Sequence, residues 1–248
     1  MSEDRIDHPP EHEKVALVTG ASSGIGRAIA RQLVKEGFRV ALVARQAERL
    51  DEVAGELQAL GGEVLPLVQD LTEFDRLAGL VETIEQKLGP LSVLVNNAGM
   101  GYTGSLVETS VSDWQRVLTL NLTAPFALTR EVLGPMRARR RGTIVNMVSI
   151  AAQRAFPDWG AYCASKSGLL AFSRTLAQEV RNDGIRVSAI CPGSVDTALW
   201  DSDLVNANFD RTRMLQADTV AQLVLMTVTL PESAVLEEAV LMPGFGAF

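Results

Sequence analysis

The segment from Val15 to Gly26, VALVTGASSGIG, constrains this chain more than any other. An apolar run gives way through three glycines to a helical pattern. That order dictates a strand, a tight turn and a helix packed back on the strand. Gly20 permits the turn, Gly24 lets the backbone approach a pyrophosphate, and Gly26 lets the helix lie close to the strand. The helix start around Ser22, Ser23 and Ile25 offers unpaired amides and a positive dipole end to phosphates. A merely flexible glycine loop is the alternative, and the strand-turn-helix context speaks against it. The spacing is Gly-x3-Gly-x-Gly, not the more common Gly-x-Gly-x-x-Gly.

The same alternation continues along the chain. Strands are predicted at Val15–Thr19, Arg39–Ala44, Val64–Val68, Ser92–Asn96, Thr143–Ser149, Ile185–Cys191 and Ala239–Met242. They carry Val, Leu and Ile on both pleat faces, as buried parallel strands do. Helices are predicted at Ile25–Glu36, Ala47–Leu60, Asp75–Leu88, Val111–Met136, Trp159–Arg181 and Thr219–Leu230. Thr72 with Asp75, and Ser110 with Asp113, have the spacing of helix caps. The expected fold is α/β, a doubly wound parallel sheet of about seven strands with helices on both faces. Residues 14–248 form one domain, and residues 1–13 are expected to be a disordered polar leader. The stretch 194–217 fits neither period and is expected to be a lid with a little helix of its own.

Composition removes several functions. A net charge of -7 argues against a nucleic-acid binder. No apolar run is long enough to span a membrane, and the leader lacks a secretory core, so a cytoplasmic protein is expected. Cys163 and Cys191 lie in apolar patterns and suit buried thiols in a reducing compartment. The only histidines, His8 and His12, lie in the leader. A Ser-His-Asp triad and a histidine-ligated metal in the core are thereby excluded, and no metal is expected. Acid/base chemistry must use Tyr, Lys, Asp, Glu or a cofactor, and the only tyrosines are Tyr102 and Tyr162.

The glycine pattern resembles that of the short-chain dehydrogenase/reductase family. So do Asn96-Asn97-Ala98-Gly99, Asn121, Ser149, Tyr162-Cys-Ala-Ser-Lys166 and Pro192-Gly193-Ser-Val195-Asp-Thr197. The motifs follow the family's order and spacing from about Lys14 to the C-terminus. The resemblance implies a Rossmann-type fold and hydride exchange between a nicotinamide cofactor and a carbonyl. It implies that Tyr162 donates the proton, Ser149 binds the substrate oxygen, and Lys166 lowers the tyrosine pKa and binds the nicotinamide ribose. It also implies that Asn121 holds a relay water, that Asn97 contacts the cofactor, and that Asp70 and Leu71 border the adenine. A homotetramer is implied as well; the small residues Ala161, Ala164, Ser165 and Gly168 allow close helix packing at an interface.

The residues support the chemistry independently. Tyr162 and Lys166 are four apart on a helix and share a face. An ammonium about 5 Å from a phenol, at an effective dielectric near 20, favours phenolate by roughly 3 kcal/mol, about two pKa units. Tyr162 is therefore expected to have a lowered pKa. A core tyrosine and a solvated lysine are the plain alternatives, and Ser149 at a strand end disfavours them jointly.

Cofactor choice follows from the end of the second strand. Val43-Ala44-Arg45 offers a guanidinium where NAD enzymes place a carboxylate, so NADP(H) is expected. Arg137, Arg139, Arg140 and Arg141 read as a solvated helix end. Tyr102, Trp159, Leu199 and Trp200 are candidate substrate walls, with Leu204, Val205, Phe209, Met214 and Leu215 adding apolar surface in the lid. The expected activity is NADPH-dependent reduction of a compact, largely apolar ketone or aldehyde. Rivals are a 3-oxoacyl-carrier-protein reductase and a non-catalytic NADP(H) sensor. A sugar-nucleotide epimerase or dehydratase shares the tyrosine-lysine pair but usually needs a larger substrate domain, for which 248 residues leave little room.

Overall fold

The structure is a computed structural model that describes residues 14–207 and 209–246. The expected leader, with His8 and His12, lies outside the described residues. Seven strands form one parallel sheet: β1 (Val15–Thr19), β2 (Arg39–Ala44), β3 (Val64–Val68), β4 (Val93–Asn96), β5 (Gly142–Met147), β6 (Ile185–Pro192) and β7 (Glu238–Leu241). Their order is β3-β2-β1-β4-β5-β6-β7. Every residue of β1, β4 and β5 is buried, because helices cover both faces.

The helices are α1 (Gly24–Lys35), α2 (Ala47–Ala59), α3 (Leu77–Leu88), α4 (Val111–Leu118), α5 (Ala124–Arg139), α6 (Gly160–Val180) and α7 (Ala217–Thr229). Ile29 and Leu33 of α1, Leu50 and Leu57 of α2 and Val224 of α7 form the core on one face. Leu77 and Ile84 of α3, Leu128 and Met136 of α5 and Leu176 of α6 form the other. These residues recur at helical spacing, so each helix buries one stripe. The chain reverses its winding between β1 and β4, which pair with Leu17 opposite Leu94. A crevice opens there, beyond the carboxyl ends of the strands, where this architecture takes ligands.

Two local expectations change. The single helix expected over Val111–Met136 is split by a π turn, Thr119–Thr123, which contains Asn121. Pro125 sits just inside α5 and has no N–H to offer the Asn121 carbonyl, so the regular ladder cannot run through. The Ser110 cap forms: the Asp113 amide donates to Ser110 Oγ at 3.0 Å. The Thr72 cap does not. Its amide and hydroxyl instead donate to Asp70 Oδ1 at 2.9 and 2.8 Å, an Asx turn, and α3 starts later behind a 3₁₀ turn at Phe74–Arg76. Two of the small residues of α6 also pack within the chain. Ser165 is fully buried beside Asn121, and a methyl at Gly168 would meet Leu122 at 2.8 Å.

The stretch 194–217 is irregular, with 3₁₀ turns at Ala198–Asp201 and Arg211–Arg213. Its two ends are joined: Val195 pairs with Leu215, and the Asp196 amide donates to the Leu215 carbonyl at 2.8 Å. Both cysteine thiols are free.

Candidate active site

A cleft of about 520 Å³ lies over the carboxyl ends of the central strands. The glycine turn forms one end. Gly20 and Gly24 have φ of +66° and +51°, a region that side chains rarely tolerate. A methyl at Gly26 would sit 2.3 Å from the Gly20 carbonyl oxygen, so the helix can only approach its strand without a side chain there. Gly26 lies behind the cleft; Ser22, Ser23, Gly24 and Ile25 line it. Ser23 precedes α1 in extended conformation and makes no side-chain cap, which leaves the first amides of α1 unspent. A cradle of amides with no room for side chains fits a pyrophosphate.

Asn97 locks this turn to the end of β4. Its Nδ2 donates to the Thr19 carbonyl at 2.8 Å, and Thr19 Oγ1 accepts from the amides of Asn97 and Ala98 at 2.9 and 3.0 Å. Ala98, Gly99, Pro192, Gly193, Val195 and Thr197 continue the lining. At the far end stand Arg45, Asp70 and Leu71. Arg45 Nη1 lies 3.8 Å from Asp70 Oδ2. The Asp70 carboxyl is held below the usual range, chiefly by the Thr72 amide, and so is an anion at neutral pH.

Tyr162 and Lys166 lie one turn apart on α6 and face the cleft together with Ser149. Ser149 follows β5 and caps a 3₁₀ turn, its Oγ accepting from the Ala151 amide at 3.1 Å. Lys166 is buried; its Nζ donates to the Met147 carbonyl at 2.8 Å and lies 5.8 Å from the centre of the Tyr162 ring. The expected lowering of the Tyr162 pKa does not hold. Burial pushes the phenol up, against a downward pull from its hydrogen bond with Ser149. Burial also brings the Lys166 ammonium down to about 8, so it is still charged at neutral pH. Desolvation outweighs the pairwise attraction used in the sequence argument. Tyr162 is therefore held as the neutral phenol, a proton donor, through the physiological range.

The Asn121 side chain is committed to protein partners. It is fully buried, outside the cleft lining. Oδ1 accepts from the Met100 amide at 2.8 Å, and Nδ2 donates to the Met100 carbonyl and Ser165 Oγ. It pins the loop after β4 to the catalytic helix. Tyr102 is also outside the lining and lies against Gly104. Of the apolar residues expected in the lid, Leu199 and Trp200 face the cleft; Val205 and Met214 are buried instead. Trp159 lines the cleft and meets Tyr162 edge-on at 5.3 Å and Trp200 at 5.9 Å.

Sequence reasoning missed several lining residues: Gln46, Arg49, Met100, Leu120 and Phe156 among them. Arg49 was within reach, since it stands four residues after Arg45 at a helix start. Phe156 is brought in by an irregular loop that carries no periodic signal. Among the described residues no three His, Cys, Asp or Glu side chains cluster as metal ligands, and no helix is long and apolar enough to cross a membrane.

Residues 14–206 match the family model described as short chain dehydrogenase. Nodulation protein G of Rhizobium sp. (strain N33) is 42% identical over 186 residues, 75% of each chain. The 3-oxoacyl-[acyl-carrier-protein] reductase FabG of Thermotoga maritima is 37% identical over 188 residues, 76% of each chain. An actinorhodin polyketide ketoreductase variant crystallised with NADPH superimposes with a TM-score of 0.88 at 34% identity, covering 96% of this chain and 99% of that one. With this fold, this glycine turn and this serine, tyrosine and lysine around one cleft, the chain belongs to the short-chain dehydrogenase/reductase family of NAD(P)-dependent oxidoreductases acting on CH–OH and C=O groups.

Proposed function

We propose that this protein is an NADPH-dependent carbonyl reductase acting on a compact, largely apolar ketone or aldehyde. The observation that carries this reading is the division of charge in the cleft. Arg45, Arg49 and Asp70 stand at the end away from Tyr162. Around Ser149 and Tyr162 the walls are Met100, Phe156, Trp159, Leu199 and Trp200, and among the described residues Lys166 is the only charged side chain there. Such a lining suits an apolar ligand oriented by few polar groups. The two arginines suit a 2′-phosphate, as does the NADPH in the related ketoreductase.

Bound NADPH supplies a hydride to the carbonyl carbon. The chain does the rest. Ser149 directs its hydroxyl to the carbonyl oxygen and orients it. Tyr162 gives its phenolic proton to that oxygen as negative charge develops there. The Lys166 ammonium stabilises the phenolate left behind and holds the nicotinamide ribose. The glycine turn and the α1 amides hold the pyrophosphate, and Arg45 and Arg49 the 2′-phosphate. The free thiols are consistent with a reducing cytoplasm.

The carrier-protein rival needs an accessible basic face. The arginines at the end of α5 are solvated, as expected from sequence, and each also has a partner. Arg137 bonds Asp183 at 2.7 Å, Arg139 bonds Glu85 at 2.9 Å, and Arg141 bonds Glu232 at 2.9 Å. Arg140 Nη2 donates to the Asn182 carbonyl. We therefore expect a higher kcat/KM for small aryl or alkyl ketones than for an acetoacetyl-carrier-protein. A carrier substrate faster by about a hundredfold, a preference near 2.7 kcal/mol, overturns the reading.

The same reading places the protein in a homotetramer. Val111 and Phe126 on α4 and α5, and Met226 and Val240 on α7 and β7, are large apolar side chains left exposed on two separate faces. Two faces, each closed by a twofold axis, generate a tetramer. Light scattering at micromolar concentration should give a tetramer mass; a monomer mass contradicts it.

A further inference from the structure

Arg211 organises the wall of the cleft without lining it. It stands on the returning limb of the 194–217 stretch and reaches across to the outgoing limb. Nε donates to Asp196 Oδ1 and Nη1 to Asp201 Oδ1, both at 2.6 Å, and Nη2 donates to the Thr197 carbonyl at 3.2 Å. These acceptors bracket the 3₁₀ turn Ala198–Asp201, which carries Leu199 and Trp200 into the cleft.

Both ends of that turn touch ligand-binding surfaces. Thr197 packs over the glycine turn, its methyl 3.1 Å from where a side chain on Gly24 would begin. Trp200 Nε1 donates to the Val195 carbonyl at 2.7 Å. Its ring is the third member of the aromatic row Tyr162–Trp159–Trp200. One guanidinium thus fixes the cover of the phosphate turn and the aromatic wall opposite Ser149. The planar fork matters because its three nitrogens each meet a different acceptor, whereas a lysine's three donors sit on one compact nitrogen.

We propose that Arg211 is a positioning residue that holds Thr197 at the cofactor and Trp200 at the substrate while touching neither ligand. The substrate half of this rests on the carbonyl-reductase reading. The side chain is 41% exposed, and half-exposed ion pairs add little to global stability, so the energy of these contacts is spent on local order.

The test uses the intact chain with Arg211→Met, Arg211→Lys, Asp201→Asn and the double variant Arg211→Met/Asp201→Asn. NADPH affinity is read by cofactor fluorescence, ketone KM and kcat by turnover, and Tm by calorimetry. Arg211→Met should raise NADPH Kd and ketone KM on the order of tenfold, with kcat within about threefold and Tm lowered by less than about 4 °C. Arg211→Lys should recover only part of the loss, Asp201→Asn should lose less, and the double variant should be no worse than Arg211→Met. NADPH Kd and ketone KM within twofold of the parent in Arg211→Met overturn the proposal. So does a large fall in Tm with an equal loss of all parameters, since that marks a purely structural residue. If the parent binds NADPH yet reduces no ketone, the carbonyl-reductase reading fails, and the NADPH arm alone decides the role of Arg211.

Discussion

Tyr162→Phe should lower kcat by at least two to three orders of magnitude while NADPH binding stays nearly unchanged. Ser149 and Lys166 keep their own anchors, the Ala151 amide and the Met147 carbonyl, so the variant removes a proton donor and leaves its surroundings in place. Among the described residues lining the cleft, Lys166 is the one other ionisable side chain near Tyr162, and it donates to a backbone carbonyl. Steady-state turnover and NADPH titration of the purified variant check this. Retention of more than a tenth of parental activity would show that Tyr162 is not the acid.

The parent should also show a defined pH response. The phenol is raised by burial and stays protonated through neutral pH, which favours reduction. Lys166 must be charged to hold the ribose, and in the free protein it loses its proton at about 8. Because the protonated form is the active one, kcat/KM for NADPH should be level below that pH and fall as pH rises through it.

Arg45→Asp should shift the cofactor preference. Arg45 stands at the mouth of the cleft, 68% exposed, beside the anionic Asp70. The variant places two carboxylates at this end of the cleft and leaves Arg49 alone to meet a 2′-phosphate. Loss of charge-assisted hydrogen bonds is worth about 1.5–3 kcal/mol, or roughly 10–150-fold in affinity, before repulsion is counted. NADH lacks the phosphate and should lose far less. Fluorescence titration of both cofactors gives the ratio, and an unchanged ratio removes Arg45 from the phosphate site.

The strands were legible because the centre of the sheet is buried on both faces and its strands are rich in apolar residues; β1, β2 and β3 have the expected ends, and the ends of the other four differ by one or two residues. The glycine turn was legible because backbone geometry leaves Gly20 and Gly26 no alternative. The misreadings share one cause, that three-dimensional neighbours override local pattern. Helical periodicity runs smoothly through Asn121, and only Pro125 hints at the π turn. The sign of the Tyr162 shift depends on how much protein surrounds the phenol, which spacing on a helix does not contain. Tyr102 follows the Asn-Asn-Ala-Gly turn closely enough to suggest a wall, but the loop turns it toward Gly104.

The most direct test of the account is NADPH consumption by the purified protein against a panel of small aryl and alkyl ketones, run beside Tyr162→Phe. The account predicts turnover by the parent that depends on NADPH over NADH, favours apolar ketones, and is lost in the variant. NADPH binding with no turnover of any carbonyl in the panel, or equal turnover in parent and variant, would contradict it.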